Sequence, residues 1–313
     1  MRFVLLVVLA ALLSGAVAEA QQPIFSHQFT GDFADPYGIT VRDRIVWVAD
    51  FQAYSIKMFY ADGMPIRTVA DDLTATVINV HVGRDNKVYS ACPGEQQVSK
   101  MNGACGLIWF LRDDPRSDAT VPSFNQPMAI DADQNGNVYI ADTWNHRLQK
   151  FNSDAGLVAI WGSYGSGAQS YSAPRDLEVG PDSNIYVADE GNNRIKVIDT
   201  NGNYLREWTY AGGQYGPNPM GIGIDQRNGN VFVVDRDLNC VMMFSDTGNL
   251  LSTWGEYGQG DGQFDSPRDV AIDGDGRIFV VDGGNKRIQV FTQNPAVPVE
   301  PTTWGQVKTK YNK

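Results

Sequence analysis

The chain has 313 residues, a formal charge of −11, 42% hydrophobic residues, 32 Gly and 15 Pro. That composition buries a core while punctuating many turns, and it suits one large all-β domain better than two small ones. Nucleic-acid affinity comes mostly from Lys and Arg neutralising phosphates, so so acidic a surface excludes RNA, DNA and anionic membrane surfaces as partners.

The first residues form a separate unit. Arg2, the apolar stretch Phe3 to Leu13 and the small-x-small site Ala18-Glu19-Ala20 read as a secretory signal peptide over 1–20, cleaved before Gln21. The apolar run is shorter than the roughly 20 residues a membrane-spanning helix needs, and no later segment is apolar enough to span. The mature protein is expected to be soluble and exported, either secreted or periplasmic. Its charge balance is unchanged, because the peptide removes one Arg and one Glu.

From 21 to 292 one pattern recurs six times: IVWVAD (45–50), KVYSAC (87–92), NVYIAD (137–142), NIYVAD (184–189), NVFVVD (230–235) and RIFVVD (277–282), with last residues 42 to 50 positions apart. That period, with four short strands per unit, predicts a six-bladed β-propeller. In one unit RDLEVG (175–180) alternates, PDSN (181–184) turns the chain into IYVAD, EGNN (190–193) turns it into RIKVI (194–198), and DTNG (199–202) leads to YLREW (204–208). Gly, Asn and Asp tolerate the left-handed backbone of tight hairpins, so each unit is a four-stranded antiparallel meander. The second strand is apolar at consecutive positions, as in Val231 to Val234, so both of its faces need cover, which face-to-face sheets around an axis supply. The innermost strand carries small or polar residues at Gly38, Asn79, Ala129, Asp176, Gly221 and Asp269, where sheets converge.

These units resemble the NHL-repeat family, in which a Pro-led inner strand is followed by YVAD and N-x-R-I-x-x-F. The best matches are SFNQPMAIDADQNGNVYIADTWNHRLQKF (123–151) and QFDSPRDVAIDGDGRIFVVDGGNKRIQVF (263–291), with further units at 33–59, 171–198 and 215–244. Unit two (73–111) is degenerate, with Val77 in place of Pro and Cys92 in place of Asp. The resemblance implies a six-bladed propeller, in agreement with the count of repeats. The last unit has three strands by Phe291 and then meets the Pro-rich segment QNPAVPVEP of the 293–313 linker and tail. IFSHQF (24–29) is favoured as its outer strand over the competing TTWG (302–305), since closure by the opposite terminus removes free sheet edges.

Several chemical constellations compete with structural readings. Asp50, Asp142, Asp189, Asp235 and Asp282 each precede a tight loop and can accept its amides and pair with Arg147, Arg194 and Arg287, a framework role. DADQNG (131–136), with Asp142 twelfth, imitates a calcium loop but joins two strands rather than two helices. The peptide-amidating lyase, an enzyme the family resemblance brings with it, holds zinc with three His near the channel. Here His27, His81 and His146 are the only histidines, on unrelated strand positions, so no cofactor is expected. Cys92 and Cys105, in the degenerate unit of an exported chain, are expected to form a disulfide, with Cys240 left over.

In propellers of this kind the loops entering the inner strands and those between the second and third strands share one face. It would collect Tyr37, Trp144, Arg175, Asp176, Arg236, Arg268 and Asp269 as a ligand-binding set, along with Phe51, Met128, Glu190 and Met220. The Arg-Asp pairs at 175–176 and 268–269 replace the Tyr-Gly, Met-Ala or Met-Gly of other units. They either pair within the framework or grip a carboxylate-bearing ligand. The expected function is non-catalytic binding or scaffolding of a protein, peptide or glycan through this face; the alternative is a metal-dependent propeller enzyme of the amidating-lyase type or a related six-bladed lyase or hydrolase.

Overall fold

Alternation along each second strand decides how the sheets pack. In the fifth unit Val231 and Val233 face a cluster with Ile195 and Val197 of the fourth, while Phe232 and Val234 face one with Val270 and Ile278 of the sixth. A strand buried on both faces can exist only as the middle of a wedge between neighbouring sheets. The computed structural model describes residues 22–69, 76–112, 123–210 and 217–293, and these form six four-stranded antiparallel sheets.

Strand β1 spans Ile24–Phe29. Blade 1 comprises β2 (Pro36–Arg42), β3 (Ile45–Asp50), β4 (Ser55–Tyr60) and β5 (Pro65–Val69); blade 2 comprises β6 (Asn79–Val82), β7 (Val88–Cys92), β8 (Gln97–Met101) and β9 (Leu107–Arg112). Blade 3 is β10 (Pro127–Ala132), β11 (Val138–Asp142), β12 (Arg147–Phe151) and β13 (Leu157–Trp161), and blade 4 is β14 (Pro174–Val179), β15 (Ile185–Asp189), β16 (Arg194–Ile198) and β17 (Tyr204–Trp208). Blade 5 is β18 (Pro219–Ile224), β19 (Val231–Asp235), β20 (Cys240–Phe244) and β21 (Leu250–Trp254); blade 6 is β22 (Pro267–Ile272), β23 (Arg277–Asp282) and β24 (Arg287–Thr292), with β1 as its outer strand.

Neighbouring inner strands contact one another around a closed ring, from β2 through β6, β10, β14 and β18 to β22 and back. The core is accordingly six hydrophobic wedges, one at each blade junction. The N-terminal strand closes the ring: β1 runs antiparallel to β24 with Phe25 opposite Phe291 and Phe29 opposite Ile288, and the Phe25 and Phe291 rings meet edge to face at 5.9 Å. The signal-peptide segment and the tail, TTWG included, lie outside the described residues. Among the described residues no helix is long and apolar enough to cross a membrane.

The expected Cys92–Cys105 disulfide is not formed; both are free, buried thiols. In the β7–β8 register Val88 faces Met101 and Cys92 faces Gln97, and Cys105 follows in the turn beyond Met101. The two therefore lie at opposite ends of a five-residue strand, about 13 Å apart at 3.3 Å per residue, roughly twice the reach of a disulfide. Burial pushes the Cys92 thiol up to about 12, while Cys105 Sγ takes a contact from Arg67 at 3.1 Å.

Candidate functional site

Each inner strand has one edge paired within its blade and one edge bare toward the axis, and bare backbone N–H groups need acceptors. The chain supplies them from the preceding blade. Ile39 N–H donates to Asp269 at 2.8 Å, Ile130 N–H to Asn79 at 3.2 Å, Val179 N–H to Asp131 at 2.7 Å, Ile222 N–H to Asp176 at 2.7 Å and Ile224 N–H to Glu178 at 2.9 Å. At the junctions of blades 1 and 2 and of blades 5 and 6 no such side chain stands. Gly38, Gly221 and Gly223 let the strands touch instead, since a Cβ at Gly38 would meet the Ile78 carbonyl at 2.5 Å and one at Gly223 the Val270 carbonyl at 2.5 Å. The polar lining of the channel is thus in large part a set of staples.

At the mouth where the inner strands enter, here the loop face, the channel is sealed. The Arg268 guanidinium lies over the Tyr37 ring at 4.6 Å, pairs with Asp35 at 2.7 Å and donates to the Pro36 carbonyl at 3.1 Å. Arg175 donates to the Tyr37 hydroxyl from across the ring and lies 3.9 Å from Glu190. The space these residues line is about 10 Å³, at the lower limit for a single water. The structure therefore brings Tyr37, Arg175 and Arg268 together but commits them to one another. Asp176 and Asp269, buried beside them, serve as blade staples; Trp144 stands outside the plug on the rim, half exposed, and Arg236 pairs with its neighbour Asp237 at 3.5 Å.

Around the plug, the repeated Asp residues tie the face down as the sequence reading expects. Asp189 accepts Ser172 N–H at 2.7 Å, Asn192 Nδ2 at 2.8 Å and Arg194 Nε at 2.7 Å; Asp142 and Asp282 do the same with Arg147 and Arg287. Asp50 instead pairs with Lys57 at 2.9 Å. In blade 2, where Cys92 replaces the Asp, Glu95 captures the entering loop through Thr76 N–H and Oγ1, both at 2.8 Å. That substitution is invisible to a repeat alignment because the carboxylate has moved three residues along. The loops 162–171 and 255–264 are held to the face by side chains of the third strands: Lys196 Nζ donates to the carbonyls of Gly167, Ala168 and Ser170, and Gln289 to that of Gln263. Burial of Lys196 lowers its pKa to about 8. So fixed, the face presents Tyr164 (74% exposed), Tyr257 (71%), Trp144 and Tyr54 (both 52%) to solvent.

The opposite mouth, ringed by the hairpin turns, opens into a cavity of about 420 Å³ that the sequence reading missed. Its floor is Asn79, Asp176 and Asp269, which also border the sealed space. One level lower the successive blades 1 to 4 place Thr40, His81, Asp131 and Glu178, whereas blades 5 and 6 place Gly223 and Ala271. His81 Nε2 lies 2.7 Å from Asp131 Oδ1. Burial pushes the Asp176 carboxyl up to about 7, with the charge of Asp131 adding to it. Burial also holds Asp269 well above the ordinary carboxylate range, reinforced by Asp176, and Glu178 likewise, reinforced by Asp131 and Asp176. The available signal was the polar residue two positions beyond the one singled out in the inner strands of blades 1 to 4.

The remaining candidates are dispersed. Asp133 closes its hairpin by accepting from Asn135, Asn137 and Tyr139, while Asp142 sits at the far end of β11 with Arg147. His27 lies on β1 against the Ala61 carbonyl, and His146 accepts Ala173 N–H at 3.0 Å, linking blades 3 and 4. Among the described residues no three His, Cys, Asp or Glu gather in metal-binding geometry.

Comparison with known proteins matches the NHL repeat at residues 124–151 and 264–291. NHL repeat-containing protein 3 of Homo sapiens, and its Mus musculus counterpart, are 36% identical to this chain over 80 residues, 25% of the chain and 23% of either relative. The match thus spans under a quarter of those proteins' length. Among solved structures, a catalytically inactive virginiamycin B lyase from Staphylococcus aureus with quinupristin superimposes with a TM-score of 0.61 at 18% identity, over 88% of this chain and 87% of that one. A gluconolactonase from Xanthomonas campestris gives 0.63 at 15% identity, over 87% and 95%. At such identities the likeness is one of fold.

Proposed function

Because the chain is a six-bladed β-propeller carrying NHL repeats, we propose that it is an exported, non-catalytic binding or scaffold protein that docks a protein, peptide or glycan on its loop face. The observation that carries this reading is the pairing of a sealed channel with exposed aromatics. Tyr37, Arg175 and Arg268 close the mouth, so a partner meets a surface rather than a tunnel. Trp144, Tyr164, Tyr257 and Tyr54 stand out from it on loops that the Asp, Arg and Lys staples hold rigid. Preordered Trp and Tyr bury large area at small entropic cost and dominate binding hot spots. On this reading the protein needs no metal or organic cofactor.

The test is selection of a random extracellular peptide library and a glycan array on the folded protein, followed by binding to Trp144→Ala, Tyr164→Ala and Tyr257→Ala. The expected result is ligands whose affinity falls at least tenfold in one or more of these variants and not in Asp182→Ala on the turn face. Ligands indifferent to all three loop-face variants overturn the reading. A second reading, a channel enzyme of the lyase or hydrolase type, is favoured by the His81–Asp131 pair in the open cavity, and metal analysis of purified protein separates its metal-dependent form from the first.

A further inference from the structure

The channel is a blind pocket. It is closed above by the Tyr37, Arg175 and Arg268 plug, floored by Asn79, Asp176 and Asp269, and open to the turn face, and its volume of about 420 Å³ falls in the range of small-ligand sites, about 300–1,000 Å³. Volume alone does not make a site, because much of the lining is explained by the need to satisfy bare inner-strand N–H groups. Two residues at the middle level escape that explanation. Thr40 and His81 make none of the backbone staples; the imidazole of His81 instead reaches the carboxylate of Asp131 in the next blade. The junction of blades 5 and 6 shows that small residues are enough to build this level of the ring. The fold therefore accounts for Asp131 and Glu178 as staples but not for Thr40 and His81, which extend them into an arc of four polar side chains on consecutive blades.

The chemistry of the arc selects the ligand. Each carboxylate oxygen has two lone pairs; both oxygens of Asp131, Asp176, Asp269 and Glu178 take one donor from the chain, with His81 adding a further one on Asp131, so each carboxylate keeps at least one lone pair toward the pocket. The cations among the lining residues, Arg42, Arg84 and Lys150, stand at the turn-face rim, Arg84 at 3.5 Å from the Gln134 side-chain oxygen and Lys150 on the Thr200 carbonyl, beyond the level of the arc. A carboxylate or phosphate entering would add negative charge to a lining of acids in a poorly solvated space, where burial already makes charging Asp176, Asp269 and Glu178 costly. A molecule rich in O–H and N–H⁺ groups meets the reverse. We infer that this pocket is a second binding site, separate from the loop face, that takes one amine-bearing, hydroxylated molecule of about monosaccharide size along the arc Thr40, His81, Asp131 and Glu178.

The probe set is glucosamine, galactosamine and ethanolamine, each matched with its N-acetyl counterpart, plus glucuronate as the anionic ring. The readout is the ring resonances of His81, assigned by their loss in His81→Gln; the chain has only three His. The expected result is a saturable shift of His81 by at least one free amine, at least tenfold weaker with its N-acetyl partner, absent with glucuronate, and weakened about tenfold in Glu178→Gln, which keeps an acceptor for Ile224 N–H. Trp144→Ala leaves the shift intact, so the pocket and the loop face are judged separately. The inference is overturned if no free amine moves the His81 resonances, or if the N-acetylated or anionic partners move them equally.

Discussion

Replacing Asp189 with Ala tests the device that holds the loop face in place. The side chain is fully buried and accepts three hydrogen bonds, from Ser172 N–H at 2.7 Å, Asn192 Nδ2 at 2.8 Å and Arg194 Nε at 2.7 Å. Its loss leaves Arg194, with a side chain only 7% exposed, short of its principal counter-charge; breaking a buried pair by removing one partner costs about 3–5 kcal/mol. Arg194 retains Glu207 at 2.8 Å and the carbonyls of Ser166, Gly167 and Ser170, which holds the cost toward the lower end. The orphaned Ser172 N–H adds about 1 kcal/mol or more, for a total of about 4 kcal/mol. At roughly 2–4 °C per kcal/mol for a domain of this size, the Tm falls by about 10 °C in a thermal melt followed by circular dichroism. Limited proteolysis becomes faster at 162–171, the loop Arg194 anchors. Combined with Arg194→Met, the Asp189→Ala loss shrinks, because no charge is then stranded. A Tm within about 2 °C of wild type, or strictly additive losses in the double variant, refutes the reasoning.

Two further outcomes follow from the channel and the ring. Asp176, Asp269 and Glu178 have folded-state pKa values raised above their ordinary ones, that of Asp176 to about 7, so the folded protein binds protons that the unfolded chain has released; stability is greatest below pH 4 as far as these groups are concerned and is lost as pH rises through the folded values, by about 1.4 kcal/mol per pH unit for each retained proton. Urea midpoints at pH 5 and pH 8 measure this: the midpoint is lower at pH 8, with a smaller difference in Asp176→Asn, and an equal or higher midpoint at pH 8 defeats the account. Deleting 22–29 bares the β24 edge and uncovers Phe291, so the Tm falls by 10 °C or more, with edge-to-edge association, whereas deleting 302–313 leaves it unchanged; the reverse ranking gives closure to the tail.

The architecture was legible because it rests on one-dimensional signals. A period of about 47 residues, period-two alternation and turn chemistry at Gly, Asn and Asp each act within a few residues of chain, and they fixed the blade count, the inner strands and the closing strand. The disulfide failed because spacing along the chain says nothing of strand direction: Cys92 ends β7, whereas Cys105 lies in the turn after β8, beside the start of β7. The cavity was missed for a related reason. The residues that build it, Thr40, His81, Asp131 and Glu178, lie on four different blades, and only the closed ring brings them to one level. The Arg175 and Arg268 pairs stood out correctly as departures from the repeat, but a sequence cannot tell two cations that await a ligand from two that share Tyr37 between them.

The same edge-satisfying requirement explains why this channel has one open end rather than two. Each inner strand offers bare N–H groups along its length, and the chain meets them with acids projecting from the preceding blade. Burial in a narrow, poorly solvated channel raises the pKa values of Asp176, Asp269 and Glu178, and repulsion from neighbouring acids adds to it. Arg175 and Arg268 at the loop-face mouth lie next in sequence to Asp176 and Asp269, and the field of Arg175 lowers the cost of charging Asp176. Placing cations there offsets part of the repulsion, and Tyr37, stacked beneath Arg268 and accepting from Arg175, holds both in position. At the turn-face mouth the cations Arg42, Arg84 and Lys150 stand at the rim, and the middle level holds Glu178 and Asp131 beside His81. A proton retained on Glu178 relieves part of the charge at that level, and the turn-face mouth keeps it open to solution while the Tyr37, Arg175 and Arg268 cluster covers the other end.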